Sequence, residues 1–274
     1  MSDFNKCSSS IIGTGFATIQ MSQELLANFK YLTETFHTID GPTRNEFSFP
    51  ADTDGFLPFG SEYSIDGRQP DLCERFCYWS SNLPKRLHHS FAQSNFMQAA
   101  QSYEAEISQM ATAIMREICA AFDAQPLESM RTASYLQLCA YGAREQASTR
   151  RFAQNPHEDG HLLSFIKPNR DGLVLVKGNT IEPVRLLENE LAVLSGSLLT
   201  ELSDQAISAS YHAVLAPHHT VQRSSLIYFA NPNVNQKLVG FYRKAPLRLM
   251  NVMKSRHTEF GNRDLELANF ETTA

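Results

Sequence analysis

Hydrophobic and polar positions alternate in two different ways along the chain. In the first half, an apolar stripe that steps by three and four residues over 94–122 predicts one long helix, which Pro126 follows and closes. A second helical segment is predicted over 23–36, after a strand-like run over 11–19. Residues 40–72 are rich in Gly, Pro, Asp and Ser and predict a long loop, of a kind that often borders a pocket. The long helix is expected to act as a scaffold.

The second half has a strand-like pattern from residue 134 onward. Short apolar runs are separated by turn-forming sequence, and the predicted strands cover 135–141, 161–166, 172–176, 191–194, 211–214 and 225–229. Several short strands at this spacing favour an all-β barrel or a jelly roll. We find no internal repeat, and the sequence beyond Pro246 predicts a polar helix or a partly ordered tail.

Composition and charge describe an ordinary globular protein. The chain has 274 residues, of which 42% are hydrophobic and 19% charged, and its net charge is −5 with the charges scattered. No basic face for nucleic acid or an anionic membrane is predicted, and no apolar run approaches the length of a membrane-spanning helix. The start lacks the features of a signal peptide and the five cysteines are scattered, so a cytoplasmic protein with reduced thiols is expected. Cys73 and Cys77 are expected to be small buried positions on one face of a helix.

The stretch NPHEDGH, residues 155–161, allows two interpretations as a metal site. Its last five residues match the zinc-protease pattern H-E-x-x-H, which needs a helix so that both imidazoles reach one ion. Gly160 lies between these histidines, where it would weaken a helix, and strand-like sequence follows. In the second interpretation the stretch starts a strand, on which His157 and Asp159 point to the same side. The surrounding sequence favours the second interpretation.

A histidine from a later strand would complete a site of the second kind. His212 lies 53 residues after Asp159, inside the strand-like run 211–214. Two imidazoles and one carboxylate form the facial arrangement that binds Fe(II) and leaves positions open for other ligands. His161 would share the face of His157 and would be a neighbour of the substrate.

An Arg-x-Ser pair, Arg223 and Ser225, lies at the start of the last predicted strand. Both side chains of such a pair face the same side of a strand. A guanidinium beside a hydroxyl is suited to a carboxylate, because the ion pair gains an extra hydrogen bond. Its place just after a metal-binding histidine indicates an anchor for a dicarboxylic acid that chelates the metal.

Taken in order, these motifs resemble the isopenicillin N synthase-like branch of the Fe(II)/2-oxoglutarate-dependent oxygenases. Besides H-x-D, the distal histidine and R-x-S, the resemblance includes GFLPFGSE at 55–62, PDLCERF at 70–76, which looks like a helix start, and LQLCAY at 136–141. It covers roughly residues 11–240 of the chain.

The resemblance implies a mainly β fold with flanking helices (α+β), with a double-stranded β-helix (jelly roll) core and a helical N-terminal region. A single oxygenase domain would span 1–274. Within it, 1–130 would hold the N-terminal strand, the long loop and the supporting helices, 131–245 the core with the iron site, and 246–274 a C-terminal tail or helix.

The resemblance also implies roles for individual residues. The residues expected to bind Fe(II) are His157, Asp159 and His212. Those expected to hold the co-substrate 2-oxoglutarate are Arg223, Ser225 and Tyr141. Those expected to line the substrate pocket are Gln137, Phe229, Asn231 and His161. Such an enzyme would use O2 to hydroxylate an unactivated C–H bond of a small metabolite, such as an amino acid, and would release succinate and CO2.

Other functions stay open at this point. The same chemistry could cyclise or desaturate a natural-product intermediate, or a substrate carboxylate could take the place of 2-oxoglutarate at Arg223. A non-catalytic jelly-roll binding protein could also retain the motif. The expected partner is a small molecule, without nucleic acid or membrane, and the chain is expected to be a monomer or a small homo-oligomer.

Overall fold

The computed structural model describes residues 3–64, 70–142, 150–216, 222–233 and 237–247. The helices are α1 (Asp3–Thr14), α2 (Gln23–Thr35), α3 (Gly41–Glu46), α4 (Leu83–Arg86), α5 (Asn95–Ala121) and α6 (Ser197–Leu202). The first seven strands are β1 (Phe16–Gln20), β2 (Ser48–Phe49), β3 (Asp54–Leu57), β4 (Glu74–Tyr78), β5 (Tyr135–Tyr141), β6 (Phe152–His157) and β7 (Leu163–Pro168). The others are β8 (Leu173–Lys177), β9 (Thr180–Pro183), β10 (Glu190–Ser195), β11 (His212–Leu215), β12 (Arg223–Ala230), β13 (Leu238–Val239) and β14 (Pro246–Leu247).

Two antiparallel sheets face each other. The major sheet has eight strands in the order β1-β10-β7-β12-β5-β4-β3-β2, and the minor sheet has four in the order β6-β11-β8-β9. From β5 to β12 the chain passes repeatedly between the two sheets, which is the winding of a jelly roll. The predicted fold class, a jelly-roll core with a helical N-terminal region, is confirmed.

The central strands of the major sheet are buried on both faces. On β5, Leu136, Leu138 and Ala140 belong to the core formed with the helices, whereas Tyr135 and Cys139 belong to the core between the sheets. The same alternation continues on β12. Because side chains two apart share a face, the odd-numbered residues of both strands point between the sheets, where the candidate site lies.

Helix α5 supports the outer face of the major sheet, as the apolar stripe predicted. Ser94 caps its start, with the side-chain oxygen accepting a hydrogen bond from the Met97 amide at 3.2 Å. The helix packs against α1, α2 and β12. No described helix is long and apolar enough to cross a membrane.

Two predictions for the N-terminal half are wrong. The run over 11–19 is split between the end of α1 and strand β1, with Gly15 between them at φ +74°. The predicted loop over 40–72 contains α3, β2 and β3. The short strands β1, β2 and β3 form by pairing with neighbouring strands of the major sheet, which local sequence does not reveal.

The segment 70–76 is also not a helix start. Residues Glu74–Tyr78 form β4, which pairs with β3 on one side and β5 on the other. Cys73 and Cys77 are buried, as predicted, but on this strand segment instead of on a helix face. Of the predicted C-terminal tail, 248–274 lies outside the described residues, and Pro246–Leu247 forms β14.

Candidate metal and co-substrate site

His157 and His212 meet across two strands of the minor sheet. His157 ends β6 and His212 begins β11, and the two residues are direct partners in the pairing of these strands. Their ring centroids lie 4.5 Å apart. The Nδ1 of His157 is hydrogen-bonded to the Asn155 carbonyl at 2.7 Å, and that of His212 to the Ser210 carbonyl at 3.2 Å. A carbonyl only accepts, so each Nδ1 carries the proton and each Nε2 is left to bind a metal.

Asp159 brings the carboxylate from the turn after β6. Its Oδ1 lies 3.5 Å from His157 Nε2, and its Oδ2 lies 3.7 Å from His212 Nε2. One ligand atom from each of the three residues lies within 4.8 Å of the others. Ser164 on β7 donates a 2.5 Å hydrogen bond to Oδ2, and the Ser197 amide donates to the Asp159 carbonyl at 2.8 Å. The turn is therefore tied to the major sheet.

The structure brings these three residues together, although not by the predicted local geometry. NPHEDGH ends a strand at His157 instead of starting one, so Asp159 reaches the site through a turn. The zinc-protease interpretation fails, because His157 and His161 do not lie on a helix and His161 is outside the cluster of ligand atoms.

The charges of this cluster suit a divalent cation. Burial raises the pKa of the Asp159 carboxyl, but the imidazoles of His212 and His157 outweigh it and hold the pKa well below its usual range. Burial lowers the pKa of His212 to about 4. Burial also lowers the pKa of His157, but hydrogen bonding to Asp159 and its charge outweigh it, so this pKa is raised. An ionised carboxylate beside two imidazoles fits Fe(II), which binds this set of donor atoms.

Arg223 lies between the sheets and is 1% exposed. Its Nε donates to the Asp171 carbonyl at 3.1 Å and its Nη1 to Ser225 Oγ at 3.0 Å. Its Nη2 has no hydrogen-bond partner among the described residues. Burial lowers the pKa of Arg223 from its ordinary value, as expected for a charge held by neutral groups. An unpartnered, buried N–H of a guanidinium fits the carboxylate of a bound ligand such as 2-oxoglutarate.

Tyr141 and Gly172 shape the surroundings of this arginine. Tyr141 is its partner across β5 and β12, with the guanidinium carbon 4.7 Å from the ring centroid. The Tyr141 hydroxyl donates to Gln154 Oε1 at 3.1 Å. Gly172 has φ +124°, and a Cβ there would lie 3.1 Å from Arg223 Nε, so a residue without a side chain lets the arginine pass.

One cavity connects the two parts of the site. It is lined by His157, Asp159, His212, Ser225 and Tyr141, together with apolar residues of both sheets. A ligand in this cavity would reach His157, Asp159, His212 and Ser225 at once, and Ser225 accepts a hydrogen bond from Arg223.

A second cavity touches the metal ligands from another direction. It contains three of the four residues predicted to line the substrate pocket: Gln137, Phe229 and His161. Asn231 instead supports His161, because its Oδ1 accepts from Nδ1 at 2.9 Å while its Nδ2 donates to the Ala133 carbonyl at 2.9 Å. Burial lowers the pKa of His161, and its ring centroid lies 4.4 Å from that of Phe229, with the two ring planes tilted by 39°.

Several residues of the site were not singled out by sequence. Ser164 and Gln154 have no sequence signal, since each is an isolated polar residue on a strand. Arg75 and Glu62, which line the second cavity, lie in the two N-terminal motif stretches but were given no role. A charged residue midway between Cys73 and Cys77, at an inward position of a strand, is the signal that would have revealed Arg75.

The jelly roll and its His–Asp–His cluster define a class of non-haem metal site. No protein-family model and no curated protein matches the chain. Among solved structures, a full-length protein from Neurospora crassa in complex with alpha-KG is similar, with a TM-score of 0.75 at 16% identity, covering 93% of this chain and 90% of that one. JOX2 in complex with 2OG, Fe and JA has a TM-score of 0.69 at 18% identity, with coverages of 88% and 76%.

A third similar structure is dioxygenase for auxin oxidation 1 from Arabidopsis thaliana, in a complex with 2-oxoglutarate. Its TM-score is 0.67 at 16% identity, with coverages of 85% and 90%. The chain thus has the fold of the 2-oxoglutarate/Fe(II) oxygenases, and the predicted resemblance to them is confirmed. Its place in the isopenicillin N synthase-like branch stays a prediction.

Proposed function

We propose that the protein is an Fe(II)- and 2-oxoglutarate-dependent oxygenase that hydroxylates an unactivated C–H bond of a small metabolite. The observation that carries this proposal is the pairing of two features beside one cavity. One is the set of three ligand atoms within 4.8 Å, and the other is the buried Arg223 with an unpartnered Nη2, which donates through Nη1 to the cavity-lining Ser225. The ligand atoms alone would suit several divalent cations, whereas the arginine adds a requirement for a carboxylate.

The residues divide the work of binding. His157 Nε2, His212 Nε2 and Asp159 would hold Fe(II), while Arg223 and Ser225 would hold the far carboxylate of 2-oxoglutarate. Together the iron, the co-substrate and O2 supply the oxidation: 2-oxoglutarate loses CO2, one oxygen atom enters succinate and the other becomes the substrate hydroxyl. Tyr141 forms one wall of the cavity and limits the access of water.

Ser164 fixes the orientation of the carboxylate. Its 2.5 Å hydrogen bond occupies one lone pair of Asp159 Oδ2, and the strand that carries it belongs to the major sheet. This hydrogen bond keeps the Asp159 side chain in the rotamer that faces both imidazoles. Pre-positioned ligands of this kind keep the remaining coordination positions for the co-substrate and O2.

A small substrate is supported by the structural neighbours and by the second cavity. The Neurospora crassa protein was also solved with thymine, and the Arabidopsis protein is named for auxin oxidation. In this chain, Gln137, Phe229 and His161 give the second cavity a polar and aromatic wall. We propose hydroxylation as the outcome, with cyclisation or desaturation by the same site as the alternative. Mass spectrometry of the product distinguishes the gain of one oxygen atom from the loss of two hydrogen atoms.

Anaerobic titration with Fe(II) and 2-oxoglutarate tests the proposal. We expect a visible absorption band that needs both additions, and succinate once O2 is admitted. His212→Ala is expected to remove the band. A protein that binds iron but forms no succinate, with or without a panel of candidate substrates, would be a binding protein and not an oxygenase.

A further inference from the structure

A second arginine is buried between the sheets, in a different electrostatic setting from Arg223. Arg75 lies on β4 and is 1% exposed. Its Nη2 donates to Asp71 Oδ2 at 2.7 Å. Its Nε lies 2.9 Å from Glu62 Oε2 without being aligned to donate a hydrogen bond, and its Nη1 has no partner among the described residues.

Arg75 lines the second cavity, on whose wall the metal ligands His157 and Asp159 also lie. The first cavity, with Ser225 and Tyr141, shares these two ligands but not Arg75. The metal ligands therefore stand between a cavity suited to the co-substrate and a cavity with its own polar anchor. The aromatic side of the second cavity includes Tyr135 and Phe229, whose ring centroids lie 4.9 Å apart.

The charges around Arg75 decide what it can bind. Asp71 and Glu62 are two carboxylates against one guanidinium, so the cluster already has an excess of negative charge. Arg223, in contrast, is held by a carbonyl and a hydroxyl. A ligand with only a carboxylate would gain one hydrogen bond from Arg75 Nη1 but would be repelled by Glu62 and Asp71. A ligand that also brings a donor to Glu62 would avoid this repulsion.

Glu62 can accept such a donor. It lines the same cavity as Arg75, and its side chain keeps 20% of its surface exposed, whereas Asp71 at 2% is enclosed by Arg75 and Ser64. The two groups thus offer one open N–H and one accessible carboxylate oxygen within a single ion-paired unit.

We propose that Arg75 and Glu62 together bind the substrate, and that this substrate carries no net negative charge and presents a hydrogen-bond acceptor beside an N–H group. A zwitterionic amino acid has this chemistry in its carboxylate and ammonium, and a cyclic imide has it in its adjacent C=O and N–H. The inference rests on the proposed function, because it takes the substrate to react on the side of the cavity where His157 and Asp159 would hold the metal. It makes Arg75 and Glu62 specificity-determining residues of the reaction.

Calorimetric titration of the full-length protein, loaded anaerobically with Fe(II) and 2-oxoglutarate, tests this pair. The probes are the standard amino acids, the imides uracil and succinimide, and the monocarboxylates hexanoate and phenylacetate. We expect at least one zwitterion or imide to bind and the monocarboxylates not to bind. For the tightest probe, Glu62→Gln and Arg75→Lys are each expected to weaken binding roughly tenfold to hundredfold, the range for a hydrogen bond to a charged group.

Glu74→Gln is the matched control. Glu74 neighbours Arg75 on β4 but belongs to the other face, where it pairs with Arg44 at 3.0 Å, so probe binding should not change. Thermal unfolding checks that Arg75→Lys still folds. If Arg75→Lys does not fold, Glu62→Gln still tests the pair, because Glu62 is partly exposed. Comparing the probes that bind identifies an amino acid or an imide as the substrate class.

Three results would overturn the inference: tightest binding by a monocarboxylate, no binding by any zwitterion or imide, or unchanged probe binding in the variants that fold. Succinate formation from 2-oxoglutarate without any probe tests the proposed function separately. It is expected in the unaltered protein and in the Glu74→Gln control. Its absence in the unaltered protein, both with and without the probes, would refute the oxygenase, whereas its presence together with unchanged probe binding by the variants would refute only the role of Arg75 and Glu62.

Discussion

Replacing Arg223 with methionine separates its role in binding from any role in stability. The guanidinium is 1% exposed, and its Nη2 has no partner among the described residues. Arg223→Met fills similar space without charge or donors. The change therefore removes the proposed anchor for the far carboxylate of 2-oxoglutarate while keeping the packing between the sheets.

The expected loss of affinity follows from the contacts that a carboxylate would make there. The free Nη2 and the Ser225 hydroxyl, now bonded to Nη1 at 3.0 Å, can both point at a bound carboxylate. Each hydrogen bond to a charged group contributes about 1.5–3 kcal/mol, so losing Nη2 and disturbing Ser225 should cost about 3–5 kcal/mol. The Kd for 2-oxoglutarate should then rise roughly 150-fold to 5,000-fold.

Arg223→Met should not lower the free energy of unfolding, although it lowers the affinity for 2-oxoglutarate. Burial lowers the pKa of Arg223, so in the ligand-free protein the folded state disfavours the charged form, and this cost is present at every pH below the folded pKa. Methionine removes that cost but leaves the Asp171 carbonyl and Ser225 without their donor, at about 1 kcal/mol each. The free energy of unfolding should therefore stay level or rise.

Anaerobic absorbance titration measures the Kd, and urea unfolding of the ligand-free protein measures stability. Arg185→Met is the control, because the exposed Arg185 pairs with the Asp171 side chain outside the cavity. A Kd within threefold of the unaltered protein would refute the anchor. A large loss of stability in Arg223→Met would show that the arginine has a structural partner.

Three further predictions concern the ligand cluster and the helical scaffold. Ser164→Ala removes the 2.5 Å hydrogen bond to Asp159 and should weaken Fe(II) binding roughly tenfold to hundredfold; equal affinity by anaerobic titration would contradict the role of this serine. Burial lowers the pKa of His212 to about 4, so the unfolded chain binds a proton that the folded metal-free chain excludes. Because of this residue, the free energy of unfolding of the metal-free protein, measured in urea, should fall by about 3 kcal/mol as the pH drops from about 6.5 to about 4. His212→Gln should reduce this dependence on pH. Arg131 donates to both oxygens of the fully buried Glu104, at 3.0 Å to Oε1 and 2.6 Å to Oε2. Arg131→Met should therefore cost about 3 kcal/mol of unfolding free energy, which Glu104→Gln in the same chain should largely restore if the unpaired charge is the cause.

The strands and the clustering of His157, Asp159 and His212 could be predicted because their signals are strong or combined. The strands β5 and β12 are buried throughout and mostly apolar, with the sequences YLQLCAY and RSSLIYFA, as is typical of strands covered on both faces. The ligands are rare residue types whose order along the chain suits one kind of site. No single residue of this set was sufficient.

The N-terminal elements could not be predicted in the same way. The strand β4 starts with Glu74 in a stretch that also suits a helix start, and only its pairing with β3 and β5 decides between them. The role of Arg75 depends on that decision, because its side chain points between the sheets only on a strand. The position of Asp159 likewise depends on a turn held by Ser164 and Ser197, whose sequence distance from the ligand carries no signal.

The pairing of His157 with His212 has a consequence for the order of folding. These histidines are joined by a long segment of chain, and β11 must also pair with β8 before the ligands face each other. Strand pairing and core packing, and not the ion, offset the entropic cost of closing this long segment of chain. A metal would therefore enter a finished site, and a chelator should remove bound iron and leave the chain folded, unlike small zinc domains that unfold without their ion.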